Sequence, residues 1–176
     1  METIEYRAAG PTVSDFHASD AFVRTLLGPV GSSKSSACCI ELFQRACRQK
    51  AHLGVRKSRW AVVRNTYPEL KSTTIKTWVD WFPMTEMKWD APITGWIRLP
   101  LPDGTRVEME VIFLSMDRPE DIGKLKGLEI TGAWLNEAVE LPKAALDVAT
   151  QRVGRFPSRL RGGPTWSGVI LDTNPP

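Results

Sequence analysis

Residues 25–43 read TLLGPVGSSKSSACCIELF: a short apolar segment, a turn of glycine, proline and serine, and an apolar spacing typical of a helix. The phosphate-binding loop consensus, G-x-x-x-x-G-K-[ST], describes a similar strand-to-helix turn whose backbone N–H groups surround phosphates. Gly28, Lys34 and Ser35 are in register with that consensus. Ser33 occupies the place of its second glycine. A Gly/Ser turn that only begins a helix is the alternative, and the rest of the chain has to decide between the two.

The residue types of this turn suit the phosphate chain of a nucleotide. Lys34 would neutralise the β- and γ-phosphates, and the hydroxyl of Ser35 would bind Mg²⁺. Positive φ angles are expected inside the loop, where Gly31 adopts them freely and Ser33 adopts them at a tolerable cost. The loop residues predicted to contact the nucleotide are Gly28, Pro29, Val30, Gly31, Ser32, Ser33, Lys34, Ser35 and Ser36.

Apolar stretches that alternate with helical spacings predict the fold class. Strands are predicted within residues 22–27, 59–64, 95–101, 106–116, 129–141 and 166–176, and helices within residues 34–50, 65–82 and 142–153. Residues 118–128 are either a short helix or a charged loop, and residues 1–20 are expected to be loosely ordered. The turn Pro102-Asp103-Gly104 joins two neighbouring strands as a hairpin. This order predicts an α/β fold with a mostly parallel central sheet, flanked by helices and carrying an inserted β-hairpin.

Three of the predicted strands end in a cluster of polar residues. The first strand leads into the loop at residues 28–35, a later strand ends at residues 136–137, and the last strand ends at residues 172–174. Ligands of parallel sheets bind at the carboxyl ends of the strands, so these residues are expected to meet. A nucleotide-hydrolysing site needs an acid that holds Mg²⁺ through water and a glutamate that polarises the attacking water. Glu137 fits the second role. Asn136 stands where aspartate is usual, and its amide oxygen can still order a Mg²⁺-bound water, although without the charge. Ser35, Asn136 and Glu137 are thus the predicted Mg²⁺-organising residues, whereas an exposed Glu137 at a helix start is the alternative.

Two further sets of residues are candidates for the same chemistry. Thr173 and Asn174, after the last buried strand, are predicted to sense the γ-phosphate, with an ordinary Asn-Pro turn as the alternative. An arginine, often from a neighbouring subunit, can stabilise a transferring phosphoryl group. Arg152 and Arg155 are the candidates for that catalytic role, and Arg64 follows the second strand. For each arginine, solvated basic surface is the alternative.

The composition limits the class of protein. The 176 residues suffice for one domain with a full core, and 42% hydrophobic with 24% charged residues is ordinary for a globular chain. A net charge of +3 permits a nucleic-acid partner without requiring one. The three cysteines and two histidines lack metal-ligand spacing, which argues against a zinc site and for reduced thiols. Without an apolar run of about 18 residues or a signal peptide, we expect a protein of cytosolic type with no membrane partner.

Five segments, in order along the chain, resemble the large terminase subunit of tailed bacteriophages. They are FHASDAFVRTLLGPVGSSKSS, WAVVRNTYPELKSTTIKTW, KLKGLEITGAWLNEA, QRVGRFPS and GVILDTNPP. The resemblance covers nearly the whole chain and implies a P-loop NTPase of RecA-like type, the ATPase of a DNA-packaging motor. Residues 28–35 would then be the Walker A loop, residues 136–137 the end of the Walker B strand, and residues 173–174 the coupling motif. Phe16 would lie in the segment where the family cradles adenine.

The resemblance also implies cofactors, partners and a domain organisation. The expected cofactors are ATP and Mg²⁺, and the expected activity is ATP hydrolysis coupled to the packaging of double-stranded DNA into a procapsid. The expected partners are double-stranded DNA, the terminase small subunit and the portal of the procapsid, in the host cell cytoplasm during virion assembly. We expect a ring oligomer in the assembled motor and a monomer for the isolated chain. Residues 1–20 would be an N-terminal arm and residues 21–176 the ATPase domain, with its C-terminal part and the nuclease domain absent.

Two other functions stay open at this point. A different P-loop nucleic-acid motor, such as a helicase, would carry a second RecA-like domain. A non-catalytic DNA- or capsid-binding assembly module would bind nucleotide without turnover. Two departures from the consensus keep this second alternative open, namely Ser33 in place of glycine and Asn136 in place of aspartate.

Overall fold

The computed structural model describes residues 3–175, so Met1 and Glu2 of the predicted arm and Pro176 of the predicted domain lie outside the described residues. The strands are β1 (Val23–Leu27), β2 (Val55–Arg64), β3 (Glu86–Lys88), β4 (Ile93–Pro100), β5 (Arg106–Ser115), β6 (Gly132–Leu135) and β7 (Gly168–Thr173). The helices are α1 (Pro11–Ala18), α2 (Lys34–Arg48), α3 (Tyr67–Glu69), α4 (Lys76–Trp81), α5 (Ile122–Lys126) and α6 (Lys143–Arg152). A π-helical stretch, Leu70–Ile75, connects α3 to α4, and short 3₁₀ turns lie at Pro119–Asp121, Ala138–Glu140 and Arg159–Arg161.

Within the described residues, a seven-stranded sheet runs in the order β1-β7-β6-β2-β5-β4-β3. Strands β1, β7, β6, β2 and β5 pair in parallel, whereas β4 and β3 join antiparallel beyond β5. β4 and β5 form the predicted hairpin, in which the Leu101 N–H donates to the Thr105 carbonyl at 2.8 Å. The predicted α/β class, with a mostly parallel sheet and an inserted hairpin, is therefore confirmed. The five parallel strands all end at one edge of the sheet, called the carboxyl edge below.

Alternating side chains along β2 bury both faces of the sheet. Trp60 and Val62 point into a core that α1, α2 and α4 cover. Ala61 and Val63 point into a second core that α5 and α6 cover. Successive strand side chains point to opposite faces, so a strand covered on both sides reads as a continuous apolar run. The fold therefore has three layers: α1, α2 and α4 on one face, the sheet in the middle, and α5 and α6 on the other face. Within residues 3–175, no helix is long and apolar enough to cross a membrane.

The N-terminal residues are more ordered than the sequence predicts. The expected loosely ordered stretch contains α1, in which Val13 and Phe16 are buried. The guanidinium of Arg24 in β1 donates both to the backbone carbonyl of Phe16 and to the carboxylate of Glu41 in α2. These partners lie 8 and 17 residues from Arg24 along the chain, so the local apolar spacing does not reveal them.

A buried carboxylate, Glu41, joins α1, β1 and α2. Its side chain is 0% exposed and contacts Arg24, Arg45 and His17, each at 2.7 Å. Burial by itself raises the pKa of Glu41, but the hydrogen bonds from His17, Arg45 and Arg24 outweigh it and lower that pKa to about 2. The carboxylate therefore stays ionised in the folded chain and holds the N-terminal helix to the sheet.

Candidate nucleotide-binding site

The turn between β1 and α2 has the backbone geometry of an anion-binding loop. Gly31, with φ of 79°, and Ser33, with φ of 61°, both adopt the left-handed angles that the sequence predicts for inner loop positions. Such turns aim successive N–H groups to one side. α2 begins at Lys34, so its unpaired N–H groups and positive dipole end face the loop. Gly28 passes close by, since a Cβ there would lie 2.9 Å from the Ser32 hydroxyl. The backbone itself thus suits phosphate oxygens.

The ammonium group of Lys34 lies inside this loop. Lys34 is 8% exposed, and its Nζ donates to the carbonyl oxygens of Gly28 at 2.6 Å and Pro29 at 2.8 Å. The same Nζ donates to Ser32 Oγ at 3.2 Å and to Asn174 Oδ1 at 3.0 Å. Because Asn174 follows β7, this contact connects the loop to a residue 140 positions later in the chain.

Asn136 and Asp172 lie side by side where β6 and β7 end. The two strands pair with Leu135 opposite Leu171, so the residues that follow are neighbours. The Asn136 Nδ2 group donates to both oxygens of the Asp172 carboxylate, at 3.0 and 3.1 Å. The Ser35 hydroxyl lies 3.4 Å from Asp172 Oδ2 and 3.4 Å from Asn136 Nδ2. Three elements thus bring an amide, a carboxylate and a hydroxyl together.

Two more side chains fix the orientation of this group. The Trp134 indole N–H donates to Asp172 Oδ1 at 2.6 Å, and the Thr74 hydroxyl donates to Asn136 Oδ1 at 2.6 Å. A carboxylate only accepts and an amide NH₂ only donates, so the amide of Asn136 has one orientation that satisfies all its partners. Its oxygen consequently faces Thr74, and its nitrogen faces Ser35. This arrangement differs from the expectation that the amide oxygen of Asn136 faces the metal region.

Glu137 follows this pair with an uncommon backbone conformation. Its φ of 51° and ψ of 57° lie in the left-handed region, which non-glycine residues adopt rarely and mostly at functional sites. Loss of hydration and the negative charge of Asp172 raise the pKa of Glu137, and the charges of Arg64 and Lys34 partly offset that rise. A carboxylate with a raised pKa accepts a proton more readily, which suits a base acting on water.

Arg64, the last residue of β2, is a second buried cation at the carboxyl edge. Its side chain is 8% exposed, and Nη2 lies 3.7 Å from carboxylate oxygens of Glu69 and Glu140. Among residues 3–175, its Nε and Nη1 atoms have no hydrogen-bond partner. Lys34 and Arg64 thus bring two buried cations to this edge, beside the carboxylates of Glu69, Glu137, Glu140 and Asp172.

A cavity of about 280 Å³ opens over the loop. Its lining comes from the loop, α2, α4 and the ends of β6 and β7: Val30, Gly31, Ser32, Ser33, Lys34, Ser35, Ser36, Thr77, Glu137 and Asn174. All of these except Thr77 are candidates named from the sequence. A larger cavity of about 740 Å³ lies between α1, the end of α2 and Trp166, and none of the described residues that line it belongs to the loop. The smaller cavity is the better candidate because Lys34 and the strand-end residues Glu137 and Asn174 line it together.

Phe16 and Thr173 occupy very different places. The ring of Phe16 is buried in the core, with the guanidinium carbon of Arg24 lying 4.8 Å from the ring centre. Phe16 is not among the described residues that line the cavity over the loop. Thr173 is the last residue of β7, and its carbonyl accepts the Gly28 N–H at 3.3 Å. Of the two, Thr173 is therefore the one that adjoins the loop.

Arg152 and Arg155 lie away from the loop of their own chain. The Arg152 Nε atom donates to the Leu128 carbonyl at 2.6 Å, and the Arg155 backbone N–H donates to the Ile130 carbonyl at 3.1 Å. These carbonyls precede β6, whereas Glu137 follows it. The two arginines are thus at the edge of the sheet opposite to the cavity.

Asp172 and Thr74 join the site although they are not among the predicted site residues. The sequence does indicate Asp172, because this residue follows the apolar run GVIL, and ligands of parallel sheets bind at the carboxyl ends of the strands. The sequence does not indicate Thr74, because this residue belongs to a π-helical stretch whose register does not follow from apolar spacing.

The oxygen donors of the site suit a Mg²⁺ ion that arrives with a nucleotide. Among residues 3–175, no group of three or more His, Cys, Asp or Glu side chains could hold a metal ion by itself. Mg²⁺ in nucleotide sites usually takes one or two protein oxygens and completes its shell with phosphates and waters. The Ser35 hydroxyl and the adjacent Asp172 carboxylate are oxygens of this kind.

The chain matches no protein-family model and no curated protein in sequence. Its structure is similar to solved phage proteins. The large terminase of a thermophilic bacteriophage has a TM-score of 0.64 at 14% identity, covering 93% of this chain and 35% of that chain. The same terminase in complex with ATP-γ-S has a TM-score of 0.61 at 14% identity, over 93% and 34%. The large terminase ATPase domain of Thermus phage P74-26 has a TM-score of 0.55 at 21% identity, over 92% and 64%.

At these identities the likeness concerns the fold. The chain has the α/β fold of these solved large-terminase structures, so the predicted fold class is confirmed. It spans about a third of the first of these terminases and 64% of the P74-26 domain.

Proposed function

We propose that this chain is the ATPase domain of a phage large terminase, which hydrolyses ATP to move double-stranded DNA into a procapsid. The observation that carries this proposal is a convergence at the carboxyl edge. The loop around Lys34 meets Glu137 from the end of β6 and Asn174 from the end of β7 in one cavity. Solved structures with the same fold add support, since they are named large terminases and one is in complex with ATP-γ-S.

Lys34 and the loop backbone bind the phosphates in this proposal. The Nζ atom of Lys34 contacts four protein oxygens at 2.6–3.2 Å. Phosphate oxygens would take the place of these neutral oxygens and form stronger, charge-assisted hydrogen bonds. The N–H groups at the start of α2 add to the same anion site. Mg²⁺, bound beside the Ser35 hydroxyl, would neutralise charge on the phosphates.

Glu137 is the proposed general base. Its carboxyl lines the same cavity as Lys34, and its left-handed backbone sets the direction from which the side chain enters. The attacking water gives its proton to the Glu137 carboxylate as its oxygen bonds to the γ-phosphorus, and the bond from that phosphorus to the bridging oxygen breaks to release ADP. The raised pKa of this carboxyl makes it a better proton acceptor than an exposed glutamate.

Asn174 is the proposed sensor of the phosphate. Its Oδ1 atom accepts from Lys34 Nζ at 3.0 Å, and the preceding Thr173 carbonyl accepts from Gly28. A γ-phosphate that binds Lys34 competes with this contact. The contact between Lys34 and Asn174 would therefore break when the phosphate binds and form again when it leaves. The end of β7 could then pass the state of the nucleotide to neighbouring elements.

Arg152 and Arg155 are proposed to act on the site of a neighbouring chain in a ring, because they lie away from their own cavity. An arginine supplied in this way can accelerate hydrolysis by ~10³–10⁵. Double-stranded DNA, the terminase small subunit and the portal are the proposed partners, and the host cytoplasm is the proposed location. The adenine contact by Phe16 and the division after residue 20 rest on the sequence resemblance alone and stay predictions.

Lys34→Ala tests the loop assignment. Removing the cation that meets the β- and γ-phosphates should abolish ATP-dependent activity and weaken ATP binding in titrations. The fold should persist, because the ammonium group contacts loop oxygens and no core residue. The matched control is Lys126→Ala, which removes an exposed lysine of α5 and should leave ATP binding unchanged. Wild-type affinity and turnover in Lys34→Ala would refute the assignment.

Glu137→Gln tests the catalytic assignment. The change keeps the shape but removes the proton acceptor, so ATP should stay bound while turnover falls by about 10²–10⁴. Glu129→Gln, which alters an exposed carboxylate that precedes β6, is the control and should hydrolyse ATP nearly as well as wild type. Nucleotide binding with no turnover in the wild-type assembly would instead favour a non-catalytic assembly module.

A further inference from the structure

The acid beside the loop serine lies on β7, whereas the sequence predicts it at the end of β6. A nucleotide-hydrolysing site needs an acid beside the loop serine, and the sequence places Asn136 at the expected point. In the structure the acid beside Ser35 is Asp172, on the adjacent strand, with its Oδ2 atom 3.4 Å from the serine hydroxyl. Parallel pairing puts the two strand ends next to each other, so either position reaches the hydroxyl.

The amide of Asn136 is turned the wrong way to serve a cation. Its Oδ1 atom accepts from Thr74, and its Nδ2 group faces Ser35 and Asp172. An NH₂ group has donors and no lone pair to offer, so it cannot order a Mg²⁺-bound water. A flipped amide would place its oxygen against the carboxylate of Asp172 and leave two acceptors in contact. Asn136 therefore acts as a clamp that holds the carboxylate of Asp172.

Among residues 3–175, no basic side chain forms an ion pair with the carboxylate of Asp172. It is 0% exposed. Its hydrogen-bond donors among residues 3–175 are the indole of Trp134, the amide of Asn136 and the hydroxyl of Ser35, all of them neutral. A buried carboxylate with neutral partners alone is unfavourable, and a nearby divalent cation would offset that.

We propose that Asp172 on β7 supplies the Mg²⁺-organising carboxylate of this site, in place of the acid expected at position 136 after β6. This inference rests on the proposed function, because the Mg²⁺ ion is the one bound with ATP. The carboxylate acts beside the Ser35 hydroxyl, either on the ion or on one of its waters. Asn136 is a positioning residue that keeps both carboxylate oxygens in place.

A purely structural role for Asp172 is the competing explanation. In that case the carboxylate serves to hold Trp134 and Asn136, and its loss lowers stability without changing metal affinity. The two explanations separate in a measurement of metal binding, which needs no ATP turnover.

The test compares Asp172→Asn with the double variant Asn136→Asp/Asp172→Asn in the full chain. The double variant keeps one acid and one amide in contact and so preserves the donor and acceptor pairing. Mn²⁺ binding to the ADP-saturated protein is followed by electron paramagnetic resonance, and metal-free ADP affinity by calorimetry. Asp121→Asn is the control, since it alters another buried carboxyl, which pairs with Lys124 away from the loop.

We expect Asp172→Asn to weaken Mn²⁺ binding by about 10–100-fold, the range for losing a partner of a metal site, with metal-free ADP affinity little changed. The double variant should recover most of the loss, and Asp121→Asn should match wild type. Unchanged Mn²⁺ affinity in a folded Asp172→Asn protein overturns the inference, as does a folded double variant without recovery. If Asp172→Asn does not fold, the Mn²⁺ affinity of the double variant alone decides between the two explanations. A wild-type chain that binds no ADP removes the proposed function, and this inference with it.

Discussion

Ser33 and Glu137 hold left-handed backbone angles on either side of the cavity, each at a cost of about 1–2 kcal/mol relative to an ordinary conformation. The carbonyl of each residue accepts a local backbone hydrogen bond. The Ala37 N–H donates to the Ser33 carbonyl at 2.9 Å, and the Glu140 N–H donates to the Glu137 carbonyl at 2.9 Å. The strain therefore sits at the two backbone positions that aim the loop and the proposed base.

Ser33→Gly should stabilise the fold, because glycine adopts a positive φ without a Cβ clash. We expect the free energy of unfolding to rise by about 0.5–1 kcal/mol in urea denaturation. Ser36→Gly is the matched control, since Ser36 lies in the first turn of α2, where glycine should lower stability by a similar amount. A shift of the same sign in both variants would contradict the assignment of strain to Ser33.

Much of the site could be predicted because motif spacing is local. Gly28, Lys34 and Ser35 stand within one turn, and Glu137 follows an apolar run. The role of Asp172 could not be predicted, because it depends on the partner Asn136, 36 residues away, and on the register of two strands. Register is a tertiary property, and a sequence read strand by strand does not contain it.

Elements were predictable where apolar spacing forms them and unpredictable where polar contacts do. The helix α2 and the strand β5 follow their predicted ranges closely, whereas β6 and β7 are shorter than the predicted ranges of 129–141 and 166–176. β2 instead begins at Val55, earlier than predicted, because its charged start pairs with β5. Lys57 contacts Glu108 of β5, and Arg56 contacts Asp103 in the turn before β5. The short β3 depends on its pairing with β4, and the helix α1 is held to Glu41 of α2 through His17.

The attachment of α1 and β1 to α2 through Glu41 should depend on pH. The folded pKa of about 2 lies below the unfolded value of 4.5, so ionised Glu41 stabilises the fold above pH 4.5. That contribution, on the order of 3 kcal/mol, is lost as pH falls from 4.5 toward 2. Urea denaturation at a series of pH values measures it.

In Glu41→Gln, unfolding free energy should be lower at neutral pH and should fall less steeply with acidification than in wild type. Glu129→Gln, which alters an exposed carboxylate, should keep the wild-type pH dependence. Parallel curves for wild type and Glu41→Gln would show that the buried carboxylate does not govern acid stability.

At the scale of the whole molecule, sheet order creates the site. β7, the last strand in sequence, lies between β1 and β6, which brings Asp172 and Asn174 to the loop. Alternation of strands and helices predicts the layered α/β architecture but does not determine which strands are neighbours. The same architecture places Arg152 and Arg155 at the far edge, where a neighbouring chain could receive them.

Mixing variants in an assembled motor tests that arrangement. Rings that combine Glu137→Gln subunits with Arg155→Ala subunits, or with Arg152→Ala subunits, should regain some ATP turnover. Recovery arises at interfaces where an intact Glu137 meets an intact arginine from the next subunit. Full activity of both single arginine variants, together with no recovery on mixing, would exclude both arginines from the chemistry.

Hydrogen exchange of the full chain, with and without Mg²⁺ and ATP-γ-S, tests most directly that ATP binds at the carboxyl edge. The account predicts slower exchange of the amides of residues 28–36 and 172–174 when nucleotide is present, and loss of this protection in Lys34→Ala. Unchanged exchange in the loop would contradict it, as would protection confined to the larger cavity lined by His17, Arg45 and Trp166.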